Sequence, residues 1–518
     1  METDSGLLRF MLDPAHYPDP SFQITHLETH ISHVFLCDHF VYKIKKPVAF
    51  GFLDFTSLSK RHFFCRQEVK LNSRLAGDTY LGVVPIYQKG EEYSFSEPAG
   101  GRIAEYAVKM RKIPMECLLY SLIEQGRPLF GRLGPVGRTL AGFHRGARVY
   151  KGVRYGGLEA IRKAAEENFA QIDSYRGETI EDRLFEQLIS YTRGFLAEKK
   201  EYLETRRSQG YVREGHGDLH TQHICLSDPP IIFDCIEFNE SFRIIDVLED
   251  IAFLFMDMEY RARFDLSSAF YKTYFTDNRE SMDDELLRFY KIYRAVVRGK
   301  VEGFRARGLT DGGEKEKSLR DAGEYFHLAE YYLNFDKRPF NPVIFMGLSG
   351  AGKSAIARDF SNDRIILRSD EIRKGMEGLG PEEHRYTGYG EGIYSETLTR
   401  DVYCALLEET GRHVQAGRKV VVDATFLKKN QRRNFYEMCM AEGFNPFFVH
   451  CFAKEAILRD RIARRMEEGK DASDAHAGIL EQQMRDMEEP VELPYYRMLR
   501  LNTEEKLHDI IKALKQFL

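Results

Sequence analysis

The sequence predicts a two-domain protein, with an α+β first part and an α/β second part, on three observations. At 518 residues the chain exceeds the 250–300 at which a single hydrophobic core usually stops growing. Its first hundred residues are rich in short β-type runs and are followed by long stretches of helical periodicity. Beyond Pro339 and Pro342, apolar strands alternate with helical segments, the pattern of a parallel sheet with helices on both faces.

Composition narrows the class. Apolar residues make up 43%, charged residues 30% and aromatic residues 13%, as in a folded enzyme and unlike a disordered or fibrous chain. A formal net charge of −5 gives no general basic field, so nucleic acid is allowed as a partner but not favoured. The eight cysteines are scattered without a CxxC pair, which argues against disulfide staples and structural zinc and fits a reducing, cytoplasmic setting. The opening METDSGLLRFML lacks a basic region followed by a long apolar stretch, and no apolar run reaches the roughly 18 residues needed to span a bilayer, so no membrane association is expected.

Taken in chain order, ISHVFLCDHFVYKIK reads as two strands around the Cys37-Asp38-His39 turn, and Tyr80–Tyr87 as another. Between them, Phe64, Val69, Leu71 and Leu75 recur at helical spacing and Gly77 stops the run, so Glu68 is expected on a helix. Helices are expected over Leu158–Tyr175, Ile180–Arg206, Val247–Tyr260 and Leu286–Arg307, interrupted by a strand-turn-strand segment at 223–238. Asp246 would cap the Val247 helix. His26, His30 and His33 have the spacing of metal ligands on a helix but flank an expected strand, where that spacing loses its meaning. The two prolines at 339 and 342 mark the boundary, dividing the chain into 1–338 and 339–518. Downstream strands are expected at Val343–Met346, Arg364–Leu367, Lys419–Val422, Asn445–Cys451 and Met498–Leu501.

The second part carries the most specific motif. In NPVIFMGLSGAGKS, Gly347 begins a G-x4-G-K-S turn directly after an apolar strand and at the start of a helix, the context a phosphate-binding loop requires. The backbone of Gly347, Ser349, Gly350, Ala351 and Gly352 would present N–H groups to ATP phosphates. Lys353 would neutralise the β and γ phosphates, and Ser354 would offer its hydroxyl to Mg2+. Asp370 and Arg373, three residues apart after the next strand, can both face the cleft at the carboxyl ends of the sheet. Asp423 ends a third apolar strand, where a carboxylate can hold a magnesium-bound water or orient the nucleophile. Arg459, Arg461, Arg464 and Arg465 share one helix followed by a small-residue segment, which suits a lid; Arg461 and Arg465 are the candidates to close on phosphate.

Together these residues resemble the P-loop kinases of the polynucleotide kinase, zeta-toxin and chloramphenicol phosphotransferase group over about the last 180 residues. That resemblance implies a P-loop NTPase fold with a parallel sheet, with Asp370 as general base and Arg373 binding the acceptor.

In the first part, His216-Gly217-Asp218-Leu219-His220 is followed, after a short apolar strand, by Asp234. Kinase chemistry needs such a pair of acidic sites, one to orient the acceptor hydroxyl and one to hold metal, so Asp218 and Asp234 fit base and metal ligand. Here the chain resembles the aminoglycoside phosphotransferase and choline kinase family, over roughly residues 20–335. The resemblance implies a bilobal protein-kinase-like fold, an ATP lysine at Lys43 with Lys45 as its rival, an ion-pair partner at Glu68, and adenine held by backbone around Val108 to Met110. The family pattern HGDxxxxN places a metal-binding asparagine at position 223, where this sequence has His223, and imidazole suits hard magnesium less well than an amide oxygen. Either His223 takes a different metal such as Mn2+, or Asp234 holds the metal mainly alone, or this module is weakened or a pseudokinase.

The order of the two parts resembles bacterial bifunctional fusion proteins. The expected activity is transfer of the γ-phosphate of ATP to a hydroxyl of a small molecule or nucleotide. An ATP-regulated binding or signalling protein and a nucleic-acid 5'-hydroxyl kinase are the alternatives.

Overall fold

The computed structural model describes residues 3–19, 21–127, 129, 131–278, 283–334, 339–361, 363–380, 395–468 and 477–515. They fall into two compact units, one spanning Met1–Ser121, Gly134–Asp257 and Lys272–Leu333, the other Leu122–Leu133, Met258–Tyr271 and Asn334–Leu518. The division does not fall at a single point of the chain, because two short segments from the first 338 residues cluster with the second unit.

The first unit begins with a six-stranded antiparallel sheet. Its spatial order is Thr25–Glu28, Ser32–Leu36, Phe40–Lys45, Arg102–Arg111, Tyr80–Lys89, Glu92–Ser94. Strand alternation sets Lys43 and Lys45 on one face and buries Tyr42 and Ile44 on the other. The helix Leu58–Ala76 starts at the Ser57 cap, which accepts from Lys60 N–H, and stops at Gly77, whose φ of +55° ends the helical run. One buried face of that helix delivers Glu68 toward the two lysines.

The remainder of this unit is a helical lobe. The expected helix over Ile180–Arg206 is two helices, Asp182–Glu198 and Lys200–Gln209, because Lys199, with ψ of +14°, leaves helical geometry while its N–H keeps the helical bond to Phe195 C=O. The helix Gly312–Leu333, polar through GGEKEKSLRDAG, has no counterpart among the expected elements. The segment at 223–238 carries two strands of only two residues, Ile224–Cys225 and Ile231–Ile232, paired antiparallel. Asp246 does cap the helix Val247–Tyr260 through Leu248 N–H at 2.9 Å, and it also pairs with Arg206 through two 2.8 Å hydrogen bonds.

The second unit is built on a five-stranded parallel sheet in the order Ile365–Arg368, Val420–Asp423, Val343–Met346, Phe447–Phe452, Met498–Asn502. Alternate residues feed two cores. Val343, Phe345, Val421, Phe447 and Val449 pack with Ile356, Leu458 and Ile510 on one side, and Ile344, Met346, Val420, Val422 and Phe448 pack with Val402 and Phe435 on the other. Burial on both faces is why these strands read as unbroken apolar runs.

Candidate active sites

In the second unit the central strand Val343–Met346 runs into the loop of Gly347–Gly352, and the helix Lys353–Phe360 follows. Gly347, Gly350 and Gly352 have φ of +132°, +79° and +82°. A Cβ on Gly347 would lie 2.2 Å from Cys451 O, and one on Gly350 would lie 2.7 Å from Leu458 O. Glycine at these two positions therefore answers both a backbone conformation and a close approach.

Lys353 is buried and donates to Leu348 O at 2.9 Å; burial lowers its pKa, against the opposing pull of Asp423. Asp423 ends the neighbouring strand and is buried. A cavity of about 1020 Å³ brings Gly350, Gly352, Lys353, Ser354, Asp370, Arg373 and Asp423 to one surface. Asp370 and Arg373 lie on the helix Ser369–Met376, and the buried Arg373 donates to Thr399 Oγ1 at 3.2 Å. The hydroxyl of Ser354 and the carboxylate of Asp423 are hard oxygen donors suited to Mg2+.

Two residues of this site were not expected from the sequence. Arg368 bridges the would-be metal ligands, with Nε 3.3 Å from Asp423 Oδ2 and Nη2 3.5 Å from Ser354 Oγ. Gln483, on the helix Ala477–Asp486, accepts the Ser349 N–H at 2.9 Å. Neither belongs to a local motif, and their roles follow from tertiary placement.

The arginine helix spans Glu455–Glu468. Arg461 lines the cavity and donates to Gly350 O at 3.3 Å, Thr503 Oγ1 at 2.9 Å and Thr503 O at 2.6 Å, so its guanidinium also braces the loop backbone. Arg459 pairs with Glu455 and Glu481, and Arg464 with Asp460. Arg465 lines the cavity. The small-residue segment expected as a lid, 469–476, lies outside the described residues.

In the first unit Lys43 Nζ sits 2.9 Å from Glu68 Oε1 and 2.8 Å from Asp234 Oδ1. Lys45 Nζ sits 2.7 Å from Glu68 Oε2 and also pairs with Glu237. Glu68 thus joins both lysines, but their surroundings differ: the Lys43 side chain is 15% exposed and meets Asp234, whereas that of Lys45 is 1% exposed. Asp234 has a φ of +61°, a left-handed backbone that is uncommon outside glycine and turns this residue out of the preceding strand direction.

Asp218 and Asp234 are both drawn to His223. Its Nδ1 lies 2.9 Å from Asp218 O and its Nε2 3.6 Å from Asp234 Oδ2. Burial would raise both carboxyls, but His220 and His223 hold Asp218, and Lys43 and His223 hold Asp234, well below the usual carboxylate range. Burial pushes His223 itself down to about 4, leaving the imidazole neutral at neutral pH. His220 Nε2 lies 3.4 Å from Asp218 Oδ2.

The loop carrying Asp218 is fixed from behind by Asp250, which the sequence reading did not single out. Asp250 accepts His216 N–H at 2.7 Å and Gly217 N–H at 2.8 Å, and lies 3.0 Å from His144 Nε2. Burial opposes its ionisation, but these hydrogen bonds, led by His144, bring its pKa down to about 2.

The adenine-binding assignment to Val108–Met110 needs correction. These residues lie within the strand Arg102–Arg111, in register with Val41 and Lys43 on one side and Tyr80 and Val83 on the other, so their backbone groups belong to the sheet. Met110 instead contributes a buried side chain to an apolar cluster with Val41 and Tyr80, against which Ile231 and Phe233 pack. Chain beyond the strand starts at Lys112, whose N–H still bonds His39 O.

Residues 343–490 match a family model described as an AAA domain. An uncharacterized protein of Mycobacterium tuberculosis is 28% identical over 457 residues, 88% of this chain and 88% of that protein. Among solved structures, a choline/ethanolamine kinase family protein from Mesorhizobium loti is 11% identical across 64% of this chain and 100% of its own, with a TM-score of 0.38. A gluconokinase from Sinorhizobium meliloti is 20% identical across 35% of this chain and 93% of its own, with a TM-score of 0.26. The second unit thus carries a phosphate-binding loop on a five-stranded parallel sheet, and its residues 343–490 are similar to an AAA domain.

Proposed function

We propose that the chain is an ATP-dependent phosphotransferase in which the P-loop unit moves the γ-phosphate to a hydroxyl of an anionic small molecule or nucleotide. The observation that carries this reading is the single cavity of about 1020 Å³ shared by the phosphate loop, Asp370, Arg373 and Asp423. A loop that only bound nucleotide would have no use for a carboxylate placed to take a hydroxyl proton beside it.

The loop amides and Lys353 would hold the β and γ phosphates, and Ser354 and Asp423 would hold Mg2+, which would supply positive charge to the transferring group. Asp370 takes the proton of the acceptor hydroxyl at its carboxylate, and Arg373, anchored on Thr399, positions the acceptor. Arg461 keeps the Gly350 carbonyl in place while Arg465 faces the phosphates. The rest of the lining sets Arg400, Lys428, Lys429 and Arg433 against Asp486 and Glu488, which pair with Lys428, and the net excess of cations favours an acceptor bearing its own phosphate, sulfate or carboxylate. The first unit supplies a second nucleotide site around Lys43, Glu68, Asp218 and Asp234.

The test is a phosphate-transfer screen with labelled ATP against pooled metabolites, run on the wild type, Lys353→Ala and Asp370→Ala. Transfer is expected to disappear in both variants, while nucleotide binding by the P-loop unit is lost in Lys353→Ala alone. Turnover by that unit surviving Asp370→Ala would remove this residue as the base.

A further inference from the structure

We infer that the first unit holds its divalent cation between His223 Nε2 and Asp234 Oδ2, and that this nitrogen ligand makes the site select Mn2+ over Mg2+. The inference rests on reading the first unit as a nucleotide site, and it concerns which ion that site takes.

Three observations converge. The two atoms are 3.6 Å apart, close to the separation of about 3.0 to 3.4 Å between neighbouring donors on one ion with bonds near 2.1 Å, so a small turn of the ring completes the pair. The tautomer is set by the other ring nitrogen: Nδ1 lies 2.9 Å from the carbonyl oxygen of Asp218, which can only accept, so Nδ1 carries the proton and Nε2 presents its lone pair. The second oxygen of Asp234 is held by Lys43 at 2.8 Å, which fixes the carboxylate with Oδ2 toward the imidazole.

Asp218 stays outside this pair. It lies on the Nδ1 side of the ring, with Oδ2 3.7 Å from Nδ1, so the imidazole stands between the two carboxylates and leaves Asp218 for the acceptor proton. Asp218, His220 and His223 also offer ligand atoms within 4.8 Å of one another, which makes a three-ligand set the competing arrangement. The carbonyl contact bars Nδ1 from it, so His223 joins such a set only through Nε2, the atom that already faces Asp234.

A mixed nitrogen and oxygen donor set suits a transition-series cation, whereas magnesium prefers oxygen and gives up water reluctantly. The P-loop site, with hydroxyl and carboxylate donors, keeps the harder preference, so one chain carries two metal sites of different selectivity.

Pulsed electron paramagnetic resonance of Mn2+ bound to the full chain, with and without ADP, tests the assignment directly. With histidine labelled by 15N, coupling of the metal to a histidine nitrogen is expected in the wild type, lost in His223→Asn and His223→Gln, and retained in Asp218→Asn. The preference for Mn2+ over Mg2+ at the first site, measured by competition, is expected to fall by about tenfold or more in His223→Asn. Absence of histidine coupling in the wild type under both conditions, or its persistence in both His223 variants, overturns the inference; loss in Asp218→Asn overturns the two-ligand arrangement. A separate count of ADP bound per chain, in the wild type and Lys43→Ala, tests the underlying nucleotide reading: unchanged stoichiometry would defeat that reading, whereas ADP bound without histidine coupling would defeat this inference alone.

Discussion

At the scale of single residues, the two lysines on the strand Phe40–Lys45 separate by environment. Lys45 is enclosed with Glu68 and Glu237; burial raises the Glu237 carboxyl, and the lysine is what opposes that rise most strongly. Replacing Lys45 by Met leaves Glu237 buried without its lysine and Glu68 with Lys43 alone, a loss of about 3–5 kcal/mol by analogy with other broken buried pairs. Chemical denaturation of Lys45→Met should show this loss, and adding Glu237→Gln should recover part of it. Lys43→Met should cost less stability and more nucleotide affinity, because Lys43 is the more exposed of the two and is the one that meets Asp234. Equal stability losses in the two variants would return Lys45 to the role of nucleotide lysine. Arg368 and Asp250 make the same point about what a sequence can convey. Both act through partners distant in the chain, Asp423 and Ser354 for one, His216, Gly217 and His144 for the other, and no local pattern announces such pairings.

At the scale of elements, the phosphate loop is a strand-to-helix turn with little freedom. An alanine Cβ at Gly347 would stand 2.2 Å from Cys451 O, on the neighbouring parallel strand, in a backbone conformation that side chains rarely adopt. Gly347→Ala must therefore shift the turn against the sheet, at a cost of about 1–3 kcal/mol for the backbone alone, with nucleotide affinity falling alongside. Thermal unfolding and ATP titration of Gly347→Ala check this; unaltered affinity would mean that the loop amides are not the phosphate ligands. The same element shows why much of this unit could be read from sequence. Val343–Met346 is apolar on both faces, lies between Pro342 and Gly347, and feeds two cores, so its ends and its burial are written in four consecutive residues. Ile365–Arg368 runs one residue past the expected end at Leu367, because Arg368 pairs in register with Asp423. Arg102–Arg111 was harder to read: Arg102, Glu105, Lys109 and Arg111 sit among its apolar positions, and burial of Glu105 against Arg61 is a tertiary fact. Gly312–Leu333 was missed because its first half is almost wholly polar and its apolar face begins only near Ala322.

At the scale of the whole molecule, the two prolines suggested a cut at residue 338, but Met258–Tyr271 clusters with the P-loop unit. Ala262, fully buried, joins the core of that unit, and the Phe264 ring lies 5.3 Å from that of Phe340 and 6.3 Å from that of Phe447. A residue from the first 338 positions thus stabilises the P-loop domain, and this can be read in an unfolding experiment. The P-loop transition is identified as the one whose nucleotide-induced upward shift disappears in Lys353→Ala, since a ligand stabilises only the unit that binds it. Phe264→Ala removes a half-buried ring and should lower that transition by the equivalent of about 2–3 kcal/mol, somewhat less than a fully buried Phe→Ala change. The transition whose shift survives Lys353→Ala should stay in place. If Phe264→Ala instead lowers the surviving transition, the segment belongs energetically to the first unit and the linear boundary at 338 stands. A P-loop domain expressed from residue 339 onward would then be as stable as it is within the full chain, whereas the packing of Ala262 and Phe264 requires it to be weaker.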